Sequence, residues 1–197
     1  MSGTGIHQRR DTALSEHGRK QAETLTKRFK GSGVELVLSS RYDRASETAR
    51  MIGKKLGRRV VRTALLDEWR IPTEMEDKHF MSKRAHDFLM LQRERIDDDR
   101  WHYSDEENTY DLKRRAGRLV RYLSARKEES AIAVTHTAVI NMLVALAVFG
   151  DGMTGTDFLR FKKVFHPENA SVTEVEIEDG SVKVLTFNDR AGSRYEA

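Results

Sequence analysis

The stretch "VELVLSSRYDRASETA", Val34 to Ala49, joins a short apolar run to an amphipathic segment. Its first part, Val34–Ser40, is mostly apolar, which is typical of a strand buried in a parallel sheet. Arg44–Leu56 then places apolar residues at helical spacing: Ala45, Ala49, Ile52 and Leu56. A buried strand that leads directly into a helix is the repeating unit of α/β folds, so this stretch predicts that class.

The same alternation of short apolar strands and helices continues on both sides of this unit. The further helices are predicted over Arg19–Phe29 with Ser15 as cap, Ala85–Ile96 with Phe88, Leu89, Leu91 and Ile96 inward, Tyr110–Ser124 and Ala138–Phe149. The further strands are predicted around Val60–Thr63, as a buried strand at Ala131–Val134, and as a hairpin of Ser171–Ile177 and Val182–Phe187. This order predicts a three-layer α/β sandwich, in which helices flank a mostly parallel sheet and a C-terminal antiparallel hairpin closes it. We expect one domain over residues 1–197, with 67–106 as a lid-like insertion.

Composition narrows the classes of protein to which the chain can belong. Of the 197 residues, 38% are hydrophobic and 34% charged, which fits a globular domain and argues against wholesale disorder. The net charge is +4, but basic and acidic residues are interleaved, so we expect no dedicated nucleic-acid surface. The absence of cysteine excludes disulfide and thiolate chemistry. Ala138–Phe149 is too short to span a bilayer, and we expect a cytoplasmic protein without a membrane partner.

Polar residues that could take part in binding or catalysis follow three of the predicted apolar segments. Arg41 and Arg44 follow the first strand, His136 follows "AVT", and Glu68 follows "LLD". Each alone is more simply interpreted as a surface arginine, a turn histidine or a solvated loop acid. Ligands of open α/β sheets bind where strands end, so together these residues favour an anion site. Arginines, a histidine and a carboxyl group are what phosphoryl transfer requires.

Several longer stretches resemble the histidine phosphatase superfamily, the phosphoglycerate mutase-like proteins. "DTALSEHGRKQAETL" is similar to that family's "D-x-x-L-T-x-x-G-x-x-Q-A", and "LSSRYDRASETA" resembles its "S-S-x-x-x-R-A-x-x-T-A". Supporting likenesses occur in "LLDEWRIP", "DEENTYDLKRRA", "AVTHTAVI" and "ENASVTEVEIEDGSVKVLTFND". The likeness is collinear from Asp11 to Asp189, which is nearly the whole chain.

The resemblance implies a phosphomonoester hydrolase, less readily a mutase, that works through a phosphohistidine without metal or cofactor. Its substrate would be a small phosphorylated molecule, and the oligomeric state is left open. Six residues receive roles: Arg44 and Arg41 in phosphate binding, His136 as second active-site histidine, Glu68 as proton donor, and His7 and Gln8 at the substrate entrance.

One defining element of the family, the "R-H-G" that ends its first strand and carries the nucleophilic histidine, is not found in this sequence. Its spacing from the "L-T" pair, here Leu14–Ser15, places it upstream of Met1. We therefore expect a late start or a truncated N-terminus, and a chain from Met1 that is inactive or nearly so. The alternative is a catalytically dead phosphate-binding protein, in keeping with Thr137 where the family usually has glycine. A basic nucleic-acid-associated domain is the remoter alternative.

Overall fold

The computed structural model describes residues 9–76, 79 and 81–190. Within these ranges the helices are α1 Glu16–Arg28, α2 Asp43–Leu56, α3 Lys83–Glu94, α4 Thr109–Ser124, α5 Thr137–Phe149 and α6 Gly155–Lys162. The strands are β1 Leu36–Ser39, β2 Val60–Arg62, β3 Ala131–Val134, β4 Val172–Glu178 and β5 Ser181–Asp189. Short 3-10 turns lie at Ala64–Leu66, Thr73–Met75 and Gly150–Gly152.

The strands form a parallel sheet of order β2-β1-β3 and a separate antiparallel hairpin of β4 and β5. In the parallel sheet Ser39 lies opposite Arg62 on one side and Val134 on the other. The carboxyl ends of all three strands therefore meet at one edge, and the segments that leave them converge there. The predicted α/β fold, with its parallel sheet and terminal hairpin, is confirmed.

Helix α2 packs against the sheet next to β1 through a narrow apolar face. Ala49 and Ile52 are fully buried against Val37 in one of the two core clusters. Gly53 lets the chain return closely into β2, because a Cβ there would lie 2.7 Å from a methyl group of Val60 and 2.8 Å from the Arg58 carbonyl oxygen. This tight return sets where the loop after β2 emerges.

The strand β3 departs from expectation, because the sequence predicts a buried strand at Ala131–Val134. Its residues instead alternate between exposed and half-buried. β3 pairs with β1 along one edge, and no strand among the described residues pairs with the other. A cleft of about 1500 Å³ separates this edge from β4, and it reaches Arg44 and His136 at its end. An apolar strand beside an open cleft retains solvent contact, which explains the wrong prediction.

Helix α3 also packs less of its surface than the sequence predicts. Phe88 and Ile96 are buried as expected, but Leu89 and Leu91 are 41% and 42% exposed. Ala85, Phe88 and Ile96 lie at spacings of three and eight residues, so only one narrow stripe of the segment faces the core. Leu89 and Leu91 fall on either side of that stripe.

Helix α6 is absent from the sequence-based assignment. It begins with a capping box, in which Thr154 and Asp157 each bond the other's backbone N–H, and it buries Phe158 and Phe161. Eight residues are too few for periodicity to stand out, although "TGTD" is a recognisable start signal. None of the helices in the described ranges combines the length and apolar character needed to cross a membrane.

Candidate active site

Arg44, Glu68 and His136 come together at the carboxyl edge of the parallel sheet. Arg44 lies in the first turn of α2, Glu68 in the loop after β2, and His136 caps α5 directly after β3. The Arg44 Nη2 lies 3.3 Å from His136 Nδ1, and the Glu68 Oε2 lies 4.0 Å from the same ring nitrogen. Two of the three residues that the sequence predicts as a site thus converge on a ring nitrogen of the third.

The imidazole of His136 is held in a nearly dry position. The residue is 7% exposed, and its ring packs edge-on against Tyr42 with ring centroids 5.0 Å apart. Burial, with the nearby Arg44 cation, lowers the pKa of His136 from 6.5 to about 3. At neutral pH the ring is therefore neutral, with one nitrogen protonated and the other carrying a lone pair.

The carboxyl group of Glu68 is placed by two backbone amides. The N–H groups of Trp69 and Ala138 donate to Oε1 at 2.9 and 3.3 Å. Although 29% of the Glu68 side chain remains exposed, desolvation by the surrounding protein outweighs these bonds and raises the pKa of Glu68. A carboxyl group with a raised pKa can carry a proton and release it, which is what a general acid does.

Arg44 supplies the fixed positive charge of the site. Its guanidinium lies 4.9 Å from the centroid of the Tyr42 ring and donates to the Arg9 carbonyl oxygen. Burial lowers the pKa of Arg44, yet a guanidinium stays charged throughout the physiological range. A partly desolvated cation whose fork of donors opens toward a neutral imidazole is suited to a phosphoryl group.

Arg41, the other predicted phosphate-binding arginine, forms its contacts outside this convergence. Arg41 is occupied by Asp67, to which its backbone N–H and its Nε each donate at 2.8 Å. Its side chain is 43% exposed. A direct role for Arg41 in phosphate binding stays a prediction. His7 and Gln8 fall outside the described residues.

Arg115, on α4, has a role that the sequence does not predict. Its side chain is 7% exposed and forms a two-bond pair with Glu107, with both N···O distances at 2.7 Å. It also donates to the carbonyl oxygens of Leu65, Asp67 and Glu68. One guanidinium thus anchors the loop that carries Glu68. The sequence does carry a sign of this role, since Arg115 is a charged residue within the apolar stripe of α4, between Leu112 and Leu119.

Glu107 fastens the same loop from the other side. Its carbonyl oxygen accepts from the Trp69 indole N–H at 2.7 Å, and its carboxylate accepts from the Arg70 backbone N–H at 3.2 Å. The Trp69 ring in turn carries the Lys162 ammonium 4.5 Å from its centroid. The segment 67–70 is consequently a rigid platform, although it connects secondary-structure elements.

This geometry can hold a dianion and pass a proton. Arg44 offers donors, His136 Nδ1 offers a site for one proton, and Glu68 offers a second. Among residues 9–76, 79 and 81–190, no cluster of three or more histidine and acidic side chains is arranged to hold a metal ion. Acid–base and electrostatic chemistry on an anionic group is what the described residues support.

Solved structures with the same fold include several phosphatases. The alpha-ribazole phosphatase from Shigella flexneri superposes with a TM-score of 0.75 at 22% identity, covering 95% of this chain and 90% of that one. The mycobacterial glucosyl-3-phosphoglycerate phosphatase gives 0.75 at 21%, covering 96% and 92%. YhfR of Bacillus stearothermophilus gives 0.78 at 22%, covering 94% and 89%. Identities this low show a shared fold.

No protein with a curated description matches the chain by sequence. The model of the histidine phosphatase superfamily, branch 1, however, matches residues 2–190. That span contains the parallel sheet, the terminal hairpin and the convergence of Arg44, Glu68 and His136. The chain belongs to branch 1 of the histidine phosphatase superfamily.

Proposed function

We propose that the protein is a phosphomonoester hydrolase that works through a phosphohistidine intermediate. The observation that carries the proposal is the convergence of Arg44 and Glu68 on His136 Nδ1, at 3.3 and 4.0 Å. Arg44 binds the phosphoryl oxygens and His136 contacts the same group. Glu68 gives its proton to the leaving oxygen as the ester bond breaks, and then takes a proton from the water that attacks phosphorus.

The nucleophilic histidine in this proposal lies upstream of Met1, at the end of a strand that pairs with the outer edge of β3. The cleft of about 1500 Å³ between β3 and β4 supports this position, because it has a ladder edge on one side. A parallel strand placed there would end level with Val134, next to His136. A histidine that follows such a strand would face Arg44 across the phosphate position.

The substrate in this proposal is a small phosphate monoester. Two of the structural relatives named above are an alpha-ribazole phosphatase and a glucosyl-3-phosphoglycerate phosphatase, and both names refer to small molecules. Residues 67–106 act as the lid-like insertion of a single domain and select the leaving group. The contacts of Trp69 and Arg70 with Glu107 support this assignment, because they hold the start of the segment against the residue that follows its end, beside the acid Glu68.

The test compares two proteins: the chain from Met1 and the product of the same reading frame extended upstream. We expect the extended protein to hydrolyse p-nitrophenyl phosphate and to trap labelled phosphate on histidine after acid-free denaturation. The chain from Met1 should bind phosphate with little turnover. His136→Ala and Arg44→Ala in the extended protein should abolish turnover.

Two outcomes would count against the proposal. A stop codon upstream without an apolar strand ending in "R-H-G", together with phosphate binding and no turnover, would establish the non-catalytic alternative. Turnover that survives His136→Ala unchanged would show that the hydrolysis takes place at a different site.

A further inference from the structure

A buried hydrogen-bond chain leads from Asp67 through Ser40 to His136. The Ser40 Oγ lies 3.1 Å from Asp67 Oδ1 and 2.8 Å from His136 Nε2. Ser40 is 0% exposed, and the other two residues are 8% and 7% exposed. The Tyr42 backbone N–H also donates to the Ser40 oxygen at 3.1 Å. No water can reach these groups easily, so each must be satisfied by the others.

The directions of these hydrogen bonds follow from what each group can donate. The Asp67 carboxylate, which is paired with Arg41, can only accept, so the single hydroxyl hydrogen of Ser40 points to it. The Ser40 oxygen then accepts from Tyr42 N–H and from His136, which places a hydrogen on Nε2. On the other side of the ring a guanidinium can only donate, so Nδ1 accepts from Arg44. Both sides of the ring require the same tautomer.

We propose that Ser40, oriented by Asp67, is a positioning residue that holds His136 as the Nε2–H tautomer and reserves Nδ1 for the phosphoryl group. The lone pair on Nδ1 then faces Arg44 and Glu68, where it can accept a hydrogen bond from a protonated oxygen of the phosphoryl group. The part that concerns the phosphoryl group rests on the proposed function; the tautomer does not.

The surrounding charges and the order of the three residues in the hydrogen-bond chain agree with this positioning role. Four charged groups face the imidazole: Arg44 from α2, Asp67 and Glu68 from the loop after β2, and Arg115 from α4. Because Ser40 lies between the carboxylate and the histidine, the arrangement differs from a nucleophilic triad, in which the histidine lies in the middle. The Ser40 hydroxyl therefore donates its hydrogen bond to Asp67, and its oxygen accepts the hydrogen bond from His136 Nε2–H.

The test reads the tautomer directly by nuclear magnetic resonance of the protein labelled with ¹⁵N-histidine. The His136 signals are assigned by their loss in His136→Gln. We expect Nε2 to show the shift of a protonated nitrogen and Nδ1 that of a lone-pair nitrogen, unchanged between about pH 5 and pH 8. In Ser40→Ala, both shifts should move toward averaged values, because Nε2–H has lost its acceptor. Ser40→Thr, which keeps the hydroxyl, should retain the wild-type pattern.

Ser39→Ala is the matched control, since Ser39 is also 0% exposed and its Oγ donates only to the Ser40 carbonyl oxygen, at 2.7 Å. It should leave the His136 shifts in place. Inorganic phosphate provides a second measurement: its affinity should fall roughly fivefold in Ser40→Ala, the size expected for one net hydrogen bond, and hold in Ser39→Ala.

An Nδ1–H tautomer in the wild-type protein would overturn the proposal. Unaltered ¹⁵N shifts of His136 in Ser40→Ala would also overturn it, because Arg44 would then be the group that sets the tautomer. The nuclear magnetic resonance measurement needs neither turnover nor phosphate. If the tautomer is as expected but phosphate does not perturb Nδ1, the proposed function fails and the positioning role of Ser40 stands.

Discussion

Replacing Arg115 by methionine should destabilise the protein more than any other single charge removal near the site. Methionine keeps much of the length and apolar stem of the side chain but removes its donors. Glu107, whose side chain is 14% exposed, is then left as a buried charge without its partner. The carbonyl oxygens of Leu65, Asp67 and Glu68 lose a donor as well.

The expected magnitude follows from these contacts. Breaking a buried ion pair by removal of one partner costs about 3–5 kcal/mol. The three carbonyl groups overlap with that cost, because the loop can shift to solvate them, so we expect about 4 kcal/mol in total. With a urea m-value of about 2–3 kcal/mol/M, the unfolding midpoint should fall by about 1.3–2 M.

Urea unfolding followed by circular dichroism measures this change, and Arg114→Met is the matched control. Arg114 is the neighbouring residue on α4, but its side chain is 53% exposed and pairs with Asp111 on the surface. Its loss should cost less than about 1 kcal/mol. The double variant Glu107→Gln/Arg115→Met should recover part of the loss, because the unpaired charge is gone. Equal midpoints for Arg115→Met and Arg114→Met would refute the reasoning.

Three further predictions concern packing and pH. Gly155→Ala should lower the free energy of unfolding by several kcal/mol, because its Cβ would lie 2.0 Å from the Ile96 carbonyl oxygen. Gly117→Ala should raise it by about 0.5–1 kcal/mol, and thermal unfolding compares the two variants. Burial lowers the pKa of Lys162 from 10.5 to about 8, so the unfolded chain binds more protons between these values, and stability relative to Lys162→Met should rise from pH 8 to pH 10.5. The hydrogen bond with the Asp111 carboxylate raises the pKa of His102, so the stability lost in His102→Gln should be largest below about pH 6.5 and should vanish as the pH rises through the folded-state pKa. Unfolding measured at several pH values checks this, and the reverse slope would contradict the pairing.

The α/β architecture could be predicted from the sequence because each element carries its own local signal. Helix α4 has an apolar stripe that only Arg115 interrupts and an Asn108–Asp111 capping box, and β1 is apolar up to its last residue, Ser39. The exposure of β3 could not be predicted, since burial depends on what lies beyond its outer edge. The exposure of Leu89 and Leu91 could not be predicted either, since the spacing of apolar residues does not show how wide the contact on α3 is.

The candidate site was predictable only in the residues that directly follow strands and turns. Arg44, Glu68 and His136 each follow a strand or turn, so topology alone brings them together. The contacts that hold them are between side chains and distant backbone, such as Arg115 to the carbonyl of Asp67, and sequence spacing carries no trace of such pairs. Ser40 and Asp67 likewise lie 27 residues apart along the chain, and their hydrogen bond depends on the register of β1 and β2.

The outer edge of β3 also has a consequence for how copies of the chain meet. Its four residues, "AIAV", carry no charge and no proline, so nothing in the strand itself discourages pairing with a foreign strand. The opposite edge of the sheet is different, because β2 ends in Arg62 and is preceded by Arg58 and Arg59. In the chain from Met1, self-association during folding or at high concentration is therefore expected to start at β3, and a charged substitution at the exposed Ala133 should suppress it.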